Sequence, residues 1–237
     1  MSKHCLVTGA NRGIGLAFVR QLLARGDRVI ATCRHPGKAN ALNTLAGDYP
    51  GRLHVLPLDV ADARSRAELA RELPLVCGDD PATARIDLLI NNAGVLHTGE
   101  RFGALSAAHL EDSFRINAAG PLLLSEALAP MLSDGGSIAN VSSQLGSIAN
   151  TARFGTPSYN ISKAAQNMAT VLLAHALRDR AIKAVALHPG WVQTDMGGDG
   201  AQIAVDASVA GLLQVIDGLT MDHSGRFLDW QGQTVPW

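Results

Sequence analysis

The sequence predicts an α/β fold, a doubly wound parallel sheet of about seven strands with helices on both faces. Three observations lead there. Short runs rich in Val, Ile and Leu recur along the chain and alternate with segments of helical period. Strands apolar on both faces belong to parallel sheets buried between helical layers, and the crossovers joining them are right-handed almost without exception. Hydrophobic residues make up 47% and charged residues 17% of the 237, while aromatics are only 4% and Gly (24) and small apolar residues abound. That balance suits close helix-on-sheet packing better than a β-sandwich, and it argues against disorder.

The elements follow in chain order. Cys5-Leu6-Val7 centres a first strand at His4–Thr8, and a Gly-rich turn then opens a helix over Gly13–Arg25. Val29-Ile30-Ala31 marks a strand at Arg28–Thr32, followed by a helix over Gly37–Ala46. Leu53–Leu58 is the third strand, and Ala63–Leu73 has helical spacing after it. Leu88-Leu89-Ile90 centres a strand at Ile86–Asn91, and the long periodic stretch His109–Leu132 reads as one helix. Ser137–Val141 and Ala184–His188 are strands on either side of a helix over Pro157–Arg180. A helix over Ser208–Leu219 and a short seventh strand at Gly225–Asp229 complete the pattern. No Pro/Gly/Ser-rich linker, repeat or low-complexity tract divides the chain, so one domain over residues 1–237 is expected. Its least regular stretches, Gly94–Leu105, Gln144–Thr156 and Gly197–Asp206, each follow the carboxyl end of a strand, where open α/β sheets hold ligands.

Composition also narrows the function. Net charge is −1 with no block of basic residues, which points away from nucleic acid and anionic membrane surfaces. Cys5, Cys33 and Cys77 are odd in number and lack CxxC spacing, as in a reduced compartment. The Gly-rich turn begins at residue 8, leaving no room for a targeting segment, and no run approaches the roughly 18 apolar residues of a membrane span. A soluble, cytoplasmic protein is expected. The eight histidines show no metal-ligand spacing with Glu or Cys, so no metal is expected.

Thr8-Gly9-Ala10-Asn11-Arg12-Gly13-Ile14-Gly15 lies between a predicted strand and a predicted helix, the context in which a glycine fingerprint signals a dinucleotide site of Rossmann type. Gly9 serves the tight turn, Gly13 the approach of backbone N–H groups to a pyrophosphate, and Gly15 the close packing of the new helix. The helix N-terminus then faces the phosphate charge. No Lys-Ser or Lys-Thr follows the turn, which disfavours a Walker-type site. An NAD site wants a carboxylate at the end of the second strand; here that strand runs into Ala31-Thr32-Cys33-Arg34-His35, with no acid. Arg34 offers a planar fork suited to a 2′-phosphate and Arg12 a second charge, so NADP(H) is expected over NAD(H). Asp59 stands at the end of the third strand, either to accept from the adenine amine or to cap the helix that starts near Asp62.

Tyr159-Asn160-Ile161-Ser162-Lys163 puts a phenol and an ammonium four residues apart on one face of a helix. An ammonium so close favours the phenolate; bringing a tyrosine from near ~10 to about 7 takes about 4 kcal/mol of differential stabilisation. Such a pair reads as a proton donor and its tuner beside a hydride carrier.

These motifs together resemble the short-chain dehydrogenase/reductases over nearly the whole chain. Thr8–Gly15, Asn91-Asn92-Ala93-Gly94, Asn117, Ser142-Ser143, Tyr159–Lys163 and His188-Pro189-Gly190 occur in that family's order and spacing. Pro189–Gly198 and the stretch Ser224–Trp230 with Pro236-Trp237 are similar to a narrower group, the C-factor/C-signal proteins and Sniffer-type carbonyl reductases. The resemblance implies reduction of an aldehyde or ketone, or oxidation of an alcohol, with Tyr159 as general acid or base. It implies that Ser143 donates to the substrate oxygen, with Ser142 as the fallback, and that Lys163 lowers the tyrosine pKa and holds the nicotinamide ribose. Asn117 would position a water linking Lys163 to solvent. Val60, Asn91, Ala93, Gly94, Pro189 and Gly190 would line the cofactor cleft, with the Asn91–Gly94 asparagines serving structure or cofactor. Val192 backbone groups would meet the nicotinamide carboxamide and Thr194 the pyrophosphate.

Thr151–Thr156 and Gly197–Val205 are expected to wall a rather open substrate pocket, with Phe154 and Trp191 as contacts. Relatives pair through the fourth and fifth helices, which implies a homodimer or homotetramer. Two rivals stand beside this reading. A serine hydrolase could use Ser143 and His188, but Asn140-Val141-Ser142-Ser143-Gln144 lacks the Gly-x-Ser-x-Gly elbow. A nucleotide-bound, C-signal-like signalling protein with little turnover is the other.

Overall fold

The computed structural model describes residues 2–77 and 85–237. Seven parallel strands form its sheet: β1 (His4–Thr8), β2 (Arg28–Cys33), β3 (Leu53–Pro57), β4 (Ile86–Asn91), β5 (Leu132–Val141), β6 (Lys183–His188) and β7 (Phe227–Asp229). Their order is β3-β2-β1-β4-β5-β6-β7. The chain winds outward from β1 to β3, crosses back to β4, and winds outward the other way. The switch point between β1 and β4 opens a crevice at the carboxyl ends of the strands.

Alternation along the strands builds two cores. Cys5, Val7, Val29, Ala31, Leu88 and Ile90 face Phe18 and Leu22 of α1 (Gly13–Ala24), Leu42 of α2 (Asn40–Asp48) and Leu212 of α7 (Val205–Asp217). Leu6, Ile30, Leu89 and Ile138 face the other layer: Leu69 and Leu73 of α3 (Ala63–Val76), Leu124 and Leu128 of α5 (Gly120–Leu128), and Leu173 of α6 (Pro157–Ala176). Each fully buried Leu or Phe among them contributes roughly 1.5–3 kcal/mol of transfer free energy. Every strand predicted from the sequence is present, and so is the doubly wound topology.

The largest departure lies in the helix expected over His109–Leu132. It is divided into α4 (Ala107–Phe114), a π turn over Arg115–Ala119, α5, and a 3₁₀ turn over Ala129–Met131. Pro121 is the local cause, because it has no N–H to offer the Asn117 carbonyl four residues back. The Gly120 N–H bonds to the Arg115 carbonyl, five residues back, and the helix widens by one residue. Strand β5 begins five residues earlier than its apolar run, at Leu132, with an irregular register between Ile86 and Leu88. Helix α2 starts only at Asn40, after a 3₁₀ turn over Pro36–Lys38. Among the described residues no helix is long and apolar enough to cross a membrane.

Candidate active site

A cleft of about 810 Å³ sits over the switch point, within the size range of cofactor and ligand pockets. The Gly-rich turn forms its floor. Gly9 has φ +62, and a Cβ there would lie 2.8 Å from the Ala93 Cα, so neither the backbone angle nor the space admits a side chain. A Cβ on Gly15 would lie 2.3 Å from the Gly9 carbonyl oxygen and 2.6 Å from Asn92 Nδ2. Gly15 thus serves the closeness of α1 to its own turn and lies outside the cleft lining, whereas Asn11, Arg12, Gly13 and Ile14 line it. Arg12 gives α1 no side-chain cap, and its first turn carries no acid. Its leading N–H groups therefore remain open for an anion. Thr194 lies opposite, its methyl 3.4 Å from where a Gly13 Cβ would stand.

The part of the cleft next to β2 is basic. Arg34 follows β2, lines the cleft, and has no ion-pair or hydrogen-bond partner among the described residues. Lys38, on the turn before α2, and His35 line the same part. Neither was singled out from the sequence, although a second cation four residues past Arg34 was a readable signal. Arg12 is committed elsewhere, to Asp195 Oδ2 at 3.0 Å across an exposed rim. Asp59 and Val60 line the cleft. Asp59 Oδ1 accepts from the Ala61 N–H at 3.0 Å, while Asp62 caps α3 by accepting from the Ser65 N–H at 2.6 Å. The helix-capping alternative for Asp59 therefore falls to Asp62.

The asparagines after β4 divide their labour. Asn92 donates from its side chain to the Thr8 and Gly9 carbonyls at 2.9 and 3.2 Å, tying β4 to the Gly-rich turn. Asn91 was expected to line the cofactor cleft, and it does not. Its side chain is buried, donating to Ser125 Oγ at 3.1 Å and Asn140 Oδ1 at 2.8 Å, because strand alternation turns it toward α5. Ala93 and Gly94 do line the cleft.

At the inner end, α6 places Tyr159 and Lys163 on one face, both nearly buried. The Lys163 Nζ lies 5.6 Å from the centre of the Tyr159 ring and donates to the Val141 carbonyl at 2.7 Å and Gln166 Oε1 at 2.9 Å. Burial pushes the phenol up to about 12, opposed by the Ser143 hydroxyl facing it. Burial also lowers the lysine from 10.5 to about 7. In the protein without cofactor, Lys163 does not by itself draw the phenol down; the lowering expected from the sequence needs the positive charge of an oxidised nicotinamide as well. Desolvation disfavours the charged form of both groups, and the lysine's bonds are to uncharged acceptors.

Ser143 and Ser142 are distinguished by their partners. Ser142 donates to Asn167 Oδ1 at 2.6 Å, deep under α6. Ser143 Oγ accepts from the Leu145 N–H at 3.1 Å, lines the cleft and acts on the Tyr159 phenol. The Asn117 side chain is fully engaged: Oδ1 accepts from the Val95 N–H at 2.8 Å, and Nδ2 donates to the Val95 carbonyl and Ser162 Oγ, each at 2.9 Å. It lies outside the cleft lining and holds the loop after β4. Its backbone carbonyl receives no N–H from the residue four positions on, because that residue is Pro121.

Pro189, Gly190, Val192 and Thr194 line the cleft after β6. Ser208 secures this loop by donating to the Pro189 carbonyl at 2.6 Å. Trp191 also lines the cleft, its indole donating to the Gly197 carbonyl at 2.8 Å. Phe154 borders an adjoining cavity of about 410 Å³ that shares Leu145 with the main cleft, and packs edge-on against Phe102. His188 Nδ1 accepts from the Gln144 N–H at 3.3 Å, and burial lowers its pKa to about 4. Its ring is spent on backbone, so Ser143 has no histidine base.

A fold of this topology, with a Gly-rich turn at the switch point and a buried Ser–Tyr–Lys group beside it, defines a dinucleotide-dependent oxidoreductase. Residues 3–202 match the family model described as short chain dehydrogenase, and the chain belongs to that family. It is 46% identical to the C-signal of Myxococcus xanthus over 157 residues, 65% of this chain and 95% of the relative. Two solved structures superpose over its whole length. The NADPH-bound carbonyl reductase from chicken fatty liver is 39% identical with a TM-score of 0.93 and 99% of its chain covered. The carbonyl reductase Sniffer of D. melanogaster is 31% identical with a TM-score of 0.94 and 100% covered.

Proposed function

We propose that this protein reduces an aldehyde or ketone to an alcohol, or runs the reverse reaction, using NADP(H) in preference to NAD(H). The observation that carries the reading is the convergence of the Ser143 hydroxyl, the Tyr159 phenol and the Lys163 amine at the buried end of the cleft. The open N-terminus of α1 fits a pyrophosphate, and Arg34 with Lys38 fits a 2′-phosphate. When bound, the reduced nicotinamide supplies the hydride. Ser143 donates to the carbonyl oxygen and holds it against Tyr159. With its pKa raised, Tyr159 is protonated at neutral pH and gives its proton to that oxygen as negative charge develops. Lys163, poised near neutrality, holds a proton close to the phenol and replenishes it through a water at the Asn117 carbonyl. Val192 and Thr194 orient the carboxamide and pyrophosphate.

One domain over residues 1–237 carries this chemistry, assembled as a homodimer or homotetramer through the exposed apolar face of α6 at Ile161, Met168 and Leu172. The buried, free cysteines Cys5, Cys33 and Cys77 fit a reducing setting such as the cytoplasm. Likeness to the C-signal favours one alternative, a nucleotide-bound signalling protein with little turnover. Fluorescence titration with NADPH and NADH, followed by assays against a panel of aldehydes and ketones, separates these readings. Tighter NADPH binding and turnover lost in Tyr159→Phe support the proposal; tighter NADH binding overturns the NADP(H) preference. A Tyr159→Phe protein that binds NADPH and keeps its biological activity favours signalling.

A further inference from the structure

Helix α6 carries Tyr159 in its first turn, yet nothing local caps it. Thr156 at the N-cap makes no side-chain capping bond and adopts φ +40, a left-handed conformation costly for a β-branched residue. The cap comes from far along the chain. Glu100, 58 residues earlier, accepts through Oε2 from the Ser158 hydroxyl at 2.6 Å and from the Ser158 N–H at 3.3 Å. Its side chain is only 2% exposed. Its other oxygen lies 4.0 Å from His109 Nδ1 in α4, and neither atom has a hydrogen-bond partner. Glu100 is therefore wedged between the first turns of α4 and α6. It stands on the loop that leaves β4, whose Gly94, Val95 and Leu96 line the cleft.

From this geometry we infer that Glu100 is a positioning residue for the reaction: by capping α6 at Ser158 it fixes the first turn from which Tyr159 projects toward Ser143. The inference rests on the proposed role of Tyr159. A carboxyl group at a helix N-terminus satisfies N–H groups that otherwise lack partners and is favoured by the helix dipole. Because Glu100 belongs to the loop after β4, the same bond couples the cleft wall to the reacting phenol. Serine at position 158 supplies two donors to one oxygen, which fixes rotation of the turn as well as its distance.

The test uses the full-length protein, NADPH and an aldehyde that the wild type reduces. Misplacing a reacting group by about 1 Å costs up to about a hundredfold in rate, so Glu100→Ala is expected to lower kcat at least about tenfold. Its KM for NADPH stays within about twofold, because no cofactor contact is lost. Glu100→Gln retains an oxygen acceptor for Ser158 and recovers most of kcat. Ser158→Ala keeps the backbone bond and lowers kcat less than Glu100→Ala; the double variant Glu100→Ala/Ser158→Ala is no slower than Glu100→Ala, since both changes break one tether. Should Glu100→Ala fail to fold, the Ser158→Ala and Glu100→Gln kinetics decide. Wild-type kcat in Glu100→Ala, or in Ser158→Ala if that variant must stand alone, overturns the inference, as does a Glu100→Gln protein as slow as the alanine variant. Tyr159→Phe run in parallel separates the two claims. If it stays active, the proposed function fails; if it is dead while Glu100→Ala is fully active, only the positioning role fails.

Discussion

Replacing Lys163 by methionine should change how stability depends on pH, and the structure sets the size of the effect. Burial lowers this lysine from 10.5 to about 7, a gap worth about 5 kcal/mol. The unfolded chain binds the proton more tightly than the folded one, so between pH 7 and 10.5 unfolding takes up a proton and stability rises with pH. At pH 7 the buried amine costs the cofactor-free protein about 4 kcal/mol, and at pH 9 about 2 kcal/mol. Methionine fills similar volume and does not titrate. It leaves the Val141 carbonyl and Gln166 Oε1 without their donor, a loss of roughly 1–3 kcal/mol each that does not vary with pH. The diagnostic quantity is therefore the difference between the two proteins as pH changes. Other groups with shifted values, such as Cys5, raised to about 12, are common to both and cancel. Urea unfolding of the cofactor-free proteins at pH 7, 8 and 9 should show wild type gaining about 2 kcal/mol on Lys163→Met across that range. Parallel stability curves would mean that Lys163 keeps an ordinary pKa in the folded state, and the proton-poising role assigned to it would be withdrawn.

Other substitutions probe the remaining parts of the site. Arg34→Ala should raise the KM for NADPH about tenfold or more through loss of a phosphate-directed fork, leaving that for NADH nearly unchanged; equal effects on both would sink the 2′-phosphate assignment. Gly15→Ala should destabilise the fold by about 1–3 kcal/mol and weaken cofactor binding, since the new methyl meets the Gly9 carbonyl; an unchanged thermal midpoint would contradict this. Asn117→Ala leaves the Val95 N–H and carbonyl without partners and should cost about 2–4 kcal/mol. Chemical denaturation checks it, and a purely kinetic defect at full stability would show that the side chain acts in the proton path instead.

The sheet was legible because it depends on a local signal repeated often. Runs such as Leu88-Leu89-Ile90 are apolar at successive positions, and only a strand covered on both faces buries them all. Gly9, Tyr159 and Lys163 were legible for a related reason: fixed spacing along a turn or a helix determines which atoms meet. The widening at Asn117 was less visible. Gly120-Pro121 interrupts hydrogen bonding, but an amphipathic pattern runs straight through it and reads as one helix. Lys38 is less legible because its place in the cleft lining depends on a single 3₁₀ turn.

By itself the sequence determined the doubly wound sheet, the dinucleotide turn and the pairing of phenol with amine, all consequences of spacing within one element or between adjacent ones. Only the tertiary structure decided that Asn91 turns away from the cleft, that Ser143 rather than Ser142 faces the phenol, and that Glu100 caps α6. It also decided which way the pKa values of the reacting pair move, because burial is a property of everything packed around a residue. Helical spacing brings Tyr159 and Lys163 together, but the loss of water around both sets their pKa values apart.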